Sequence, residues 1–200
     1  DAWQLFAVWA VLALPWTVVA AKDGLWALWL VIAATGLGFW CSVQLNLFGI
    51  FSPGLAGLWP QLLLWLPLWL LPGGLPHLKV CAIAQPRISR AVGAGMALGA
   101  WAGFGVMAVL QRDADWAVFG LASVLVAAVV AAAWRKRNIL VLGLGLMAAN
   151  ALWLVAVGHY LFSTMDWAGT GAFSLMTLVI AASVGASAHG LYRLQKEGAV

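Results

Sequence analysis

The sequence predicts an all-α, polytopic membrane protein, a bundle of about seven transmembrane helices with its N-terminus outside and its C-terminus inside. Hydrophobic residues make up 65 % of the chain, against roughly 45–50 % in a soluble domain. Charged residues make up 8 %, against about 25 %. Such a chain has too little charge to cover a water-facing globule, and it is too apolar to be a disordered chain.

Seven apolar segments, each long enough to cross a bilayer core of about 30 Å as a helix, set the number of helices. We place them at residues 2–21, 25–51, 55–71, 91–110, 116–134, 139–162 and 168–191. Strands of an outer-membrane barrel would alternate polar and apolar side chains, whereas residues 25–40 read LWALWLVIAATGLGFW. We therefore treat residues 1–200 as a single transmembrane helical domain.

The charged residues predict the orientation of these helices. All sixteen lie outside the seven segments, and with seven crossings nine of the ten Lys and Arg residues fall on one face. Arg112 falls on the other face. Because cytoplasmic loops are rich in Lys and Arg, the basic face is inside, and we expect the inner membrane of a bacterium. The net charge of +4 then reflects contact with anionic lipid rather than with nucleic acid.

The third segment is short and contains Pro60 and Pro67, and each proline is expected to kink a helix and to free a backbone carbonyl. If residues 55–71 formed a re-entrant loop, Lys22 would fall on the opposite face from Lys79, and the charge asymmetry would weaken. The asymmetry therefore favours a kinked crossing.

Small residues are expected to pack the bundle, because close backbone approach drives helix association in lipid. Gly95, Gly99 and Gly103 recur every four residues on one face of the fourth segment, and Gly143 and Gly145 lie in the sixth. We favour packing within the chain. The alternatives are a glycine-lined ligand cleft and an interface with another subunit.

Tryptophan is abundant, with fourteen residues, of which nine fall near the expected membrane boundaries, where aromatic belts form. The other five fall near mid-membrane: Trp9, Trp40, Trp65, Trp101 and Trp153. Each of these indole N–H groups requires an acceptor because no water is present at that depth. Ordinary packing is one explanation. The others are burial against a neighbouring subunit and a flat apolar ligand (a lipid, a quinone or a pigment), for which Trp40, Trp65, Trp101 and Trp153 are our candidates.

Three amides form a second candidate ligand site. Gln44 and Asn46 lie in the outer part of the second segment, and Gln61 lies near the outer start of the third. These segments are sequence neighbours, so the amides are expected to meet, either as interhelical hydrogen bonds or as a polar pocket for a small ligand. Asn150 stands alone in the sixth segment, and we expect it to bond a neighbouring helix.

No catalytic constellation or metal site is predicted. The segments contain no Asp, Glu, Lys or Arg, which disfavours an intramembrane proton relay. His159 and His189 lie at opposite ends of the bundle and do not ligate one iron. The spacing of His77, Cys81 and His189 matches no metal motif.

Two functional classes agree with these features. The first is an integral membrane subunit of a larger membrane complex, which anchors partner subunits and buries a lipid, a quinone or a pigment. The second is a small transporter for a neutral or hydrophobic solute, with the kinked third segment and the glycine-rich fourth segment as moving parts. The expected partners are the lipid bilayer and other membrane subunits or a second copy of the chain.

Overall fold

The computed structural model describes residues 2–44, 59–74, 86–110, 114–164 and 170–198, and within these ranges almost every residue is helical and none is in a strand. In chain order, the helices are α1 (Ala2–Ala20), α2 (Asp23–Gln44), α3 (Trp59–Leu64), α4 (Leu66–Gly74), α5 (Ile88–Leu110), α6 (Trp116–Arg135), α7 (Ile139–Thr164) and α8 (Thr170–Gly198). The predicted all-helical class is confirmed.

Six of these helices are long and apolar enough to cross a membrane: α1, α2, α5, α6, α7 and α8. They correspond to six of the seven predicted segments. The helix α2 ends at Gln44, and the rest of the segment predicted to run to residue 51 lies outside the described residues. The helix α8 runs past the predicted end at residue 191 to Gly198, so its last turns carry Arg193 and Lys196 beyond the apolar part.

The third segment is a broken helix, as its prolines predict. The chain leaves helical geometry at Trp65, between α3 and α4. Pro67 causes this break, because its nitrogen carries no hydrogen for the carbonyl of Leu63 and its ring crowds that carbonyl. The apolar stretch across the break, Leu62–Pro72, is shorter than the six long helices.

The chain forms two compact units, residues 1–100 and 101–200. In the first unit, α1 and α2 pair as an antiparallel hairpin. The indole Nε1 of Trp29 donates to the carbonyl oxygen of Ala10 at 2.8 Å. Near the other end of the hairpin, the rings of Phe6 and Phe39 stack with their centroids 5.5 Å apart.

The start of α5 is held by a carboxylate from the start of α2. Asp23 accepts hydrogen bonds from the backbone N–H of Ile88 at 2.6 Å and of Ser89 at 3.0 Å, and a short one from the Ser89 hydroxyl. These N–H groups have no partner within their own helix. Asp23 therefore caps a helix that begins 65 residues further along the chain.

The end of α4 lies at this same end of the first unit. A Cβ added at Gly93 of α5 would clash with the carbonyl oxygen of Leu68 and would lie 3.1 Å from Cγ of Pro72. Trp26, at the start of α2, is buried and packs against Leu71 of α4. The starts of α2 and α5 and the end of α4 therefore converge.

In the second unit, α6 and α7 form a capped hairpin. Asp115 caps α6 by accepting from the N–H groups of Ala117 and Val118 at 3.1 Å. Asn138 caps α7 by accepting from the N–H of Val141 at 3.2 Å. The helix α6 buries one face, with residues spaced three or four apart: Val118, Ala122, Val126, Val129 and Ala133.

The prediction that the glycine face of the fourth segment packs within the chain is wrong for Gly99 and Gly103. Gly99 and Gly103 are exposed, and no described atom lies within 4 Å of a Cβ added at either. The close approaches of α5 are instead at Gly93 and at Gly105, where a Cβ would clash with Leu152 of α7. The reason is that α5 turns a different side toward its neighbours from the side that carries the four-residue repeat.

Candidate functional site

A cavity of about 470 Å³ lies in the second unit, at the end of α7 away from the α6–α7 turn. Its walls come from α7, from the last residue of α5 and from α8. The residues that line it are Leu110, Leu154, Val155, Gly158, His159, Phe162, Ser163 and Met176. Its volume falls within the range of small-molecule sites.

One face of α7 forms most of the wall. Leu154, Gly158 and Phe162 recur every four residues, so they lie on one side of the helix. Met176 of α8 lies beside Gly158, with its Cε atom 3.5 Å from where a Cβ would stand, which is ordinary van der Waals contact. Met176 therefore adds a flexible side chain from α8 to the wall formed by α7.

His159 is the most polar group in the wall. Its ring meets the ring of Trp116 edge-on, with the centroids 5.8 Å apart and the planes at 71°. Trp116 is the first residue of α6, directly after the cap residue Asp115, and its ring makes an edge contact with Phe119. Within the described residues, no group hydrogen-bonds either ring nitrogen of His159, so a neutral imidazole there offers one donor and one acceptor.

The remaining polar group of the wall is already engaged. The Ser163 hydroxyl donates to the carbonyl oxygen of Tyr160, at 3.4 Å. None of the eight lining residues is Asp, Glu, Lys or Arg. The cavity is therefore suited to an uncharged, mostly apolar molecule that accepts or donates one hydrogen bond at His159.

The sequence did not reveal this cavity. The sequence points to His159 only as a candidate metal ligand near the end of its helix, and the structure places it five residues before Thr164. The usable signal was a histidine one residue after a glycine, on a helix face that also carries Leu154 and Phe162. The contribution of Met176 was not predictable, because it depends on where α8 crosses α7.

The predicted amide site falls largely outside the described residues. Gln44 ends α2 and Gln61 belongs to α3, but their side chains are not among those described. Asn46 lies outside the described ranges. The meeting of Gln44, Asn46 and Gln61 therefore stays a prediction.

The predicted tryptophans occupy different surroundings and do not line the cavity. Trp65 and Trp101 are buried, and Trp40 is half-buried. Trp153 is 57 % exposed, although it directly precedes Leu154 of the cavity wall. Trp9 is exposed as well, so these two indoles lie on the outer surface of their helices. Their roles as ligand residues stay predictions.

Trp65 shows how a mid-membrane indole is accommodated at the helix break. Its ring reaches to 4.0 Å from a Cβ placed on Gly38, and its indole lies beside the Cys41 thiol. No described oxygen or nitrogen accepts from its buried Nε1. A thiol is a weak acceptor, so the neighbouring sulfur replaces only part of a hydrogen bond.

Asn150 bonds a neighbouring helix, as predicted. Its Nδ2 donates to the Ser187 hydroxyl at 3.0 Å, and its Oδ1 accepts from the Ser183 hydroxyl at 2.6 Å. Ser187 also donates to the carbonyl oxygen of Ser183 at 2.9 Å. Both ends of the amide are therefore used to join α7 to α8, and this junction positions Met176 at the cavity.

Within the described residues, no group of three His, Cys, Asp or Glu side chains lies close enough to hold a metal ion. His77 and Cys81 belong to residues 75–85, outside the described ranges.

Comparison of the chain with protein-family models, with curated proteins and with solved structures gives no match. The fold and the cavity therefore define only its class, an all-helical protein with six helices long and apolar enough to cross a membrane.

Proposed function

We propose that the chain is a non-catalytic integral membrane subunit of a larger complex, which anchors a partner through α8 and buries an apolar ligand. The observation that carries this proposal is the surface of α8. From Ser174 to Arg193 none of its residues is buried, whereas each of the other five long helices buries part of its surface. This stretch of α8 is therefore open to a partner.

The side of α8 turned away from α7 has the shape of a helix-packing surface. Ser183 and Ser187 face α7 through Asn150. By helical spacing, Ala181, Gly185 and Ala188 lie on the opposite side, and all three are exposed. Small residues at such spacing let a second helix approach closely in the bilayer.

We further propose that the chain crosses the membrane seven times. Asp23 links the start of α2 to the start of α5, so these two helices begin at the same end of the first unit. The chain between them therefore runs out through α2 and returns, and α3 with α4 is the segment that returns. Its residues 59–74 span about 24 Å when helical.

Basic residues support the proposed orientation, N-terminus outside and C-terminus inside. Lys22 and Arg87 stand at the end of the first unit where α2 and α5 begin. Lys136 and Arg137 lie in the turn between α6 and α7. Because cytoplasmic loops carry an excess of Lys and Arg, we propose that these turns lie inside. The membrane in our proposal is a bacterial inner membrane.

The alternative function, a small transporter for a neutral or hydrophobic solute, is favoured by one observation. The break at Trp65 divides the third segment into two short helices, α3 and α4. Broken helices are common at transporter binding sites.

Purification in a mild detergent separates the two functions. The subunit proposal predicts a particle heavier than one chain by native mass measurement, with an absorption spectrum that shows any bound pigment. A colourless particle with the mass of one chain and solute flux in liposomes made from the pure chain would instead establish the transporter.

A matched pair of variants tests the role of α8. Ala181→Trp places a large ring on the proposed interface, and Ala128→Trp places it on an exposed face of α6. We expect the first variant to lose the partner and the second to keep it, with equal thermal stability of the remaining chain. Loss of the partner in both variants, or in neither, would contradict the assignment to α8.

A further inference from the structure

We propose that the cavity at the end of α7 binds the head of a membrane quinone, an uncharged flat ring with carbonyl oxygens and a hydrocarbon tail. This inference rests on the part of the proposed function in which the chain buries an apolar ligand. It does not rest on the chain being a subunit.

The charge of the wall selects for a neutral occupant. None of the eight lining residues is Asp, Glu, Lys or Arg. The described residues of the wall offer no fixed charge to pair with a charged group, and an unpaired charge removed from water is costly. The wall therefore favours an occupant without a formal charge.

The polar end of the cavity selects for a carbonyl acceptor on a flat ring. The His159 ring is held edge-on by Trp116, and its nitrogens are free of hydrogen bonds from the described residues. An imidazole N–H donates well to a carbonyl oxygen. Phe162 adds an aromatic wall beside the imidazole, and aromatic rings prefer offset or edge contact with another flat ring.

The rest of the cavity selects for hydrocarbon. Leu110, Leu154, Val155 and Met176 supply aliphatic side chains and a flexible thioether, and Met adapts to irregular apolar shapes. The cavity is open on one side rather than enclosed, so a ligand enters from the bilayer without unfolding of the helices.

The depth of His159 fits the head of such a molecule. It lies five positions before Thr164, the last residue described for α7, which is about 8 Å along a helix. The polar ring then lies near the membrane boundary, and the tail extends toward the bilayer centre along Leu154 and Val155.

Native mass spectrometry of the whole purified chain with decyl-benzoquinone tests the inference. We expect one quinone per chain and affinity weaker by about tenfold in His159→Phe, the upper end for loss of one hydrogen bond. His159→Gln keeps an N–H donor, and we expect affinity within about threefold of the original. Val155→Trp fills the cavity and is expected to abolish binding.

His189→Phe is the control, because this histidine lies on α8 outside the cavity lining. It should bind the quinone as the original chain does, and thermal unfolding should show that all the variants are folded. Equal affinity in His159→Phe and the original chain would overturn the inference. The inference would also be overturned if phosphatidylcholine competed with the quinone and still bound to Val155→Trp.

The result is separable from that of the proposed function. A pure chain that binds quinone but has no partner would remove the subunit and leave the ligand site. A chain with a partner but without quinone binding would do the reverse.

Discussion

Asn150 shows how a single polar residue fixes a helix pair in an apolar chain. Its amide both donates to Ser187 and accepts from Ser183, so neither end of the group is left unpaired. Leaving a buried amide unpaired costs about 1–3 kcal/mol, which is why a lone Asn in an apolar segment predicts an interhelical bond. Which helix it meets was not predictable, because the serines of α8 lie more than 30 residues away.

Replacing Asn150 with Leu should loosen α8 from α7. We expect a loss of about 1 kcal/mol of stability, the usual size of such a bond in a membrane, measured by thermal unfolding in detergent. Ser123→Ala is the control, because that hydroxyl donates only to Phe119 of its own helix at 2.8 Å. If the Asn150→Leu protein were as stable as the control, the hydrogen bonds from Asn150 to the serines of α8 would not contribute to the pairing of α7 and α8.

At the residue scale, the histidine of the cavity marks the limit of prediction from sequence. The position of His159 near a helix end followed from the apolar segment. Its role did not, because its surroundings include side chains from other helices, Trp116 of α6 against its ring and Met176 of α8 in the same wall.

The elements show a similar division. Proline chemistry is local, so the break near Pro67 could be predicted from the sequence. Helix packing is not local: a four-residue glycine repeat gave the spacing of a packing face but not its direction. The helix α4 instead meets α5 at Gly93, a position outside the repeat.

Alanine substitutions at Gly93 and Gly99 of α5 should have opposite effects. Gly93→Ala should destabilise the protein by about 1–3 kcal/mol, because the new methyl group clashes with the backbone oxygen of Leu68. Gly99→Ala meets open space, and alanine favours a helix by about 1 kcal/mol over glycine. Thermal unfolding measures both, and a stabilising Gly93→Ala would contradict the contact between α4 and α5.

The capping of α5 by Asp23 gives a second prediction for the elements. Asp23→Ala should cost about 2 kcal/mol or more, because Ser89 is fully buried and would lose its acceptor. Asp23→Asn keeps an acceptor oxygen and should lose less. Asp115→Ala removes a cap from its own helix and should cost about 1 kcal/mol, so equal losses for Asp23→Ala and Asp115→Ala would count against the link from α2 to α5.

At the scale of the whole molecule, composition predicted an all-helical membrane protein, and the structure added the contacts between helices. Six of the seven segments predicted from hydrophobicity and length are long apolar helices in the structure. The predicted amide pocket of Gln44, Asn46 and Gln61 depends on how side chains of two neighbouring segments meet. Those side chains lie outside the described part of the structure, so the pocket stays a prediction. The contact of Asp23 with Ser89 bears on the number of crossings, which composition leaves open for a segment as short as the third.

The most direct test of the seven-crossing topology is thiol labelling from one side of the membrane. Single cysteines replace Lys22, Arg87, Arg137 or Ala114 in a chain that carries Cys81→Ser, with Cys41 kept because it is buried. In intact bacterial cells, a membrane-impermeant reagent should label Ala114→Cys and should reach the other three only after the cells are opened. Labelling of Lys22→Cys and Arg87→Cys from opposite faces would show that α3 and α4 do not cross, and would contradict the account.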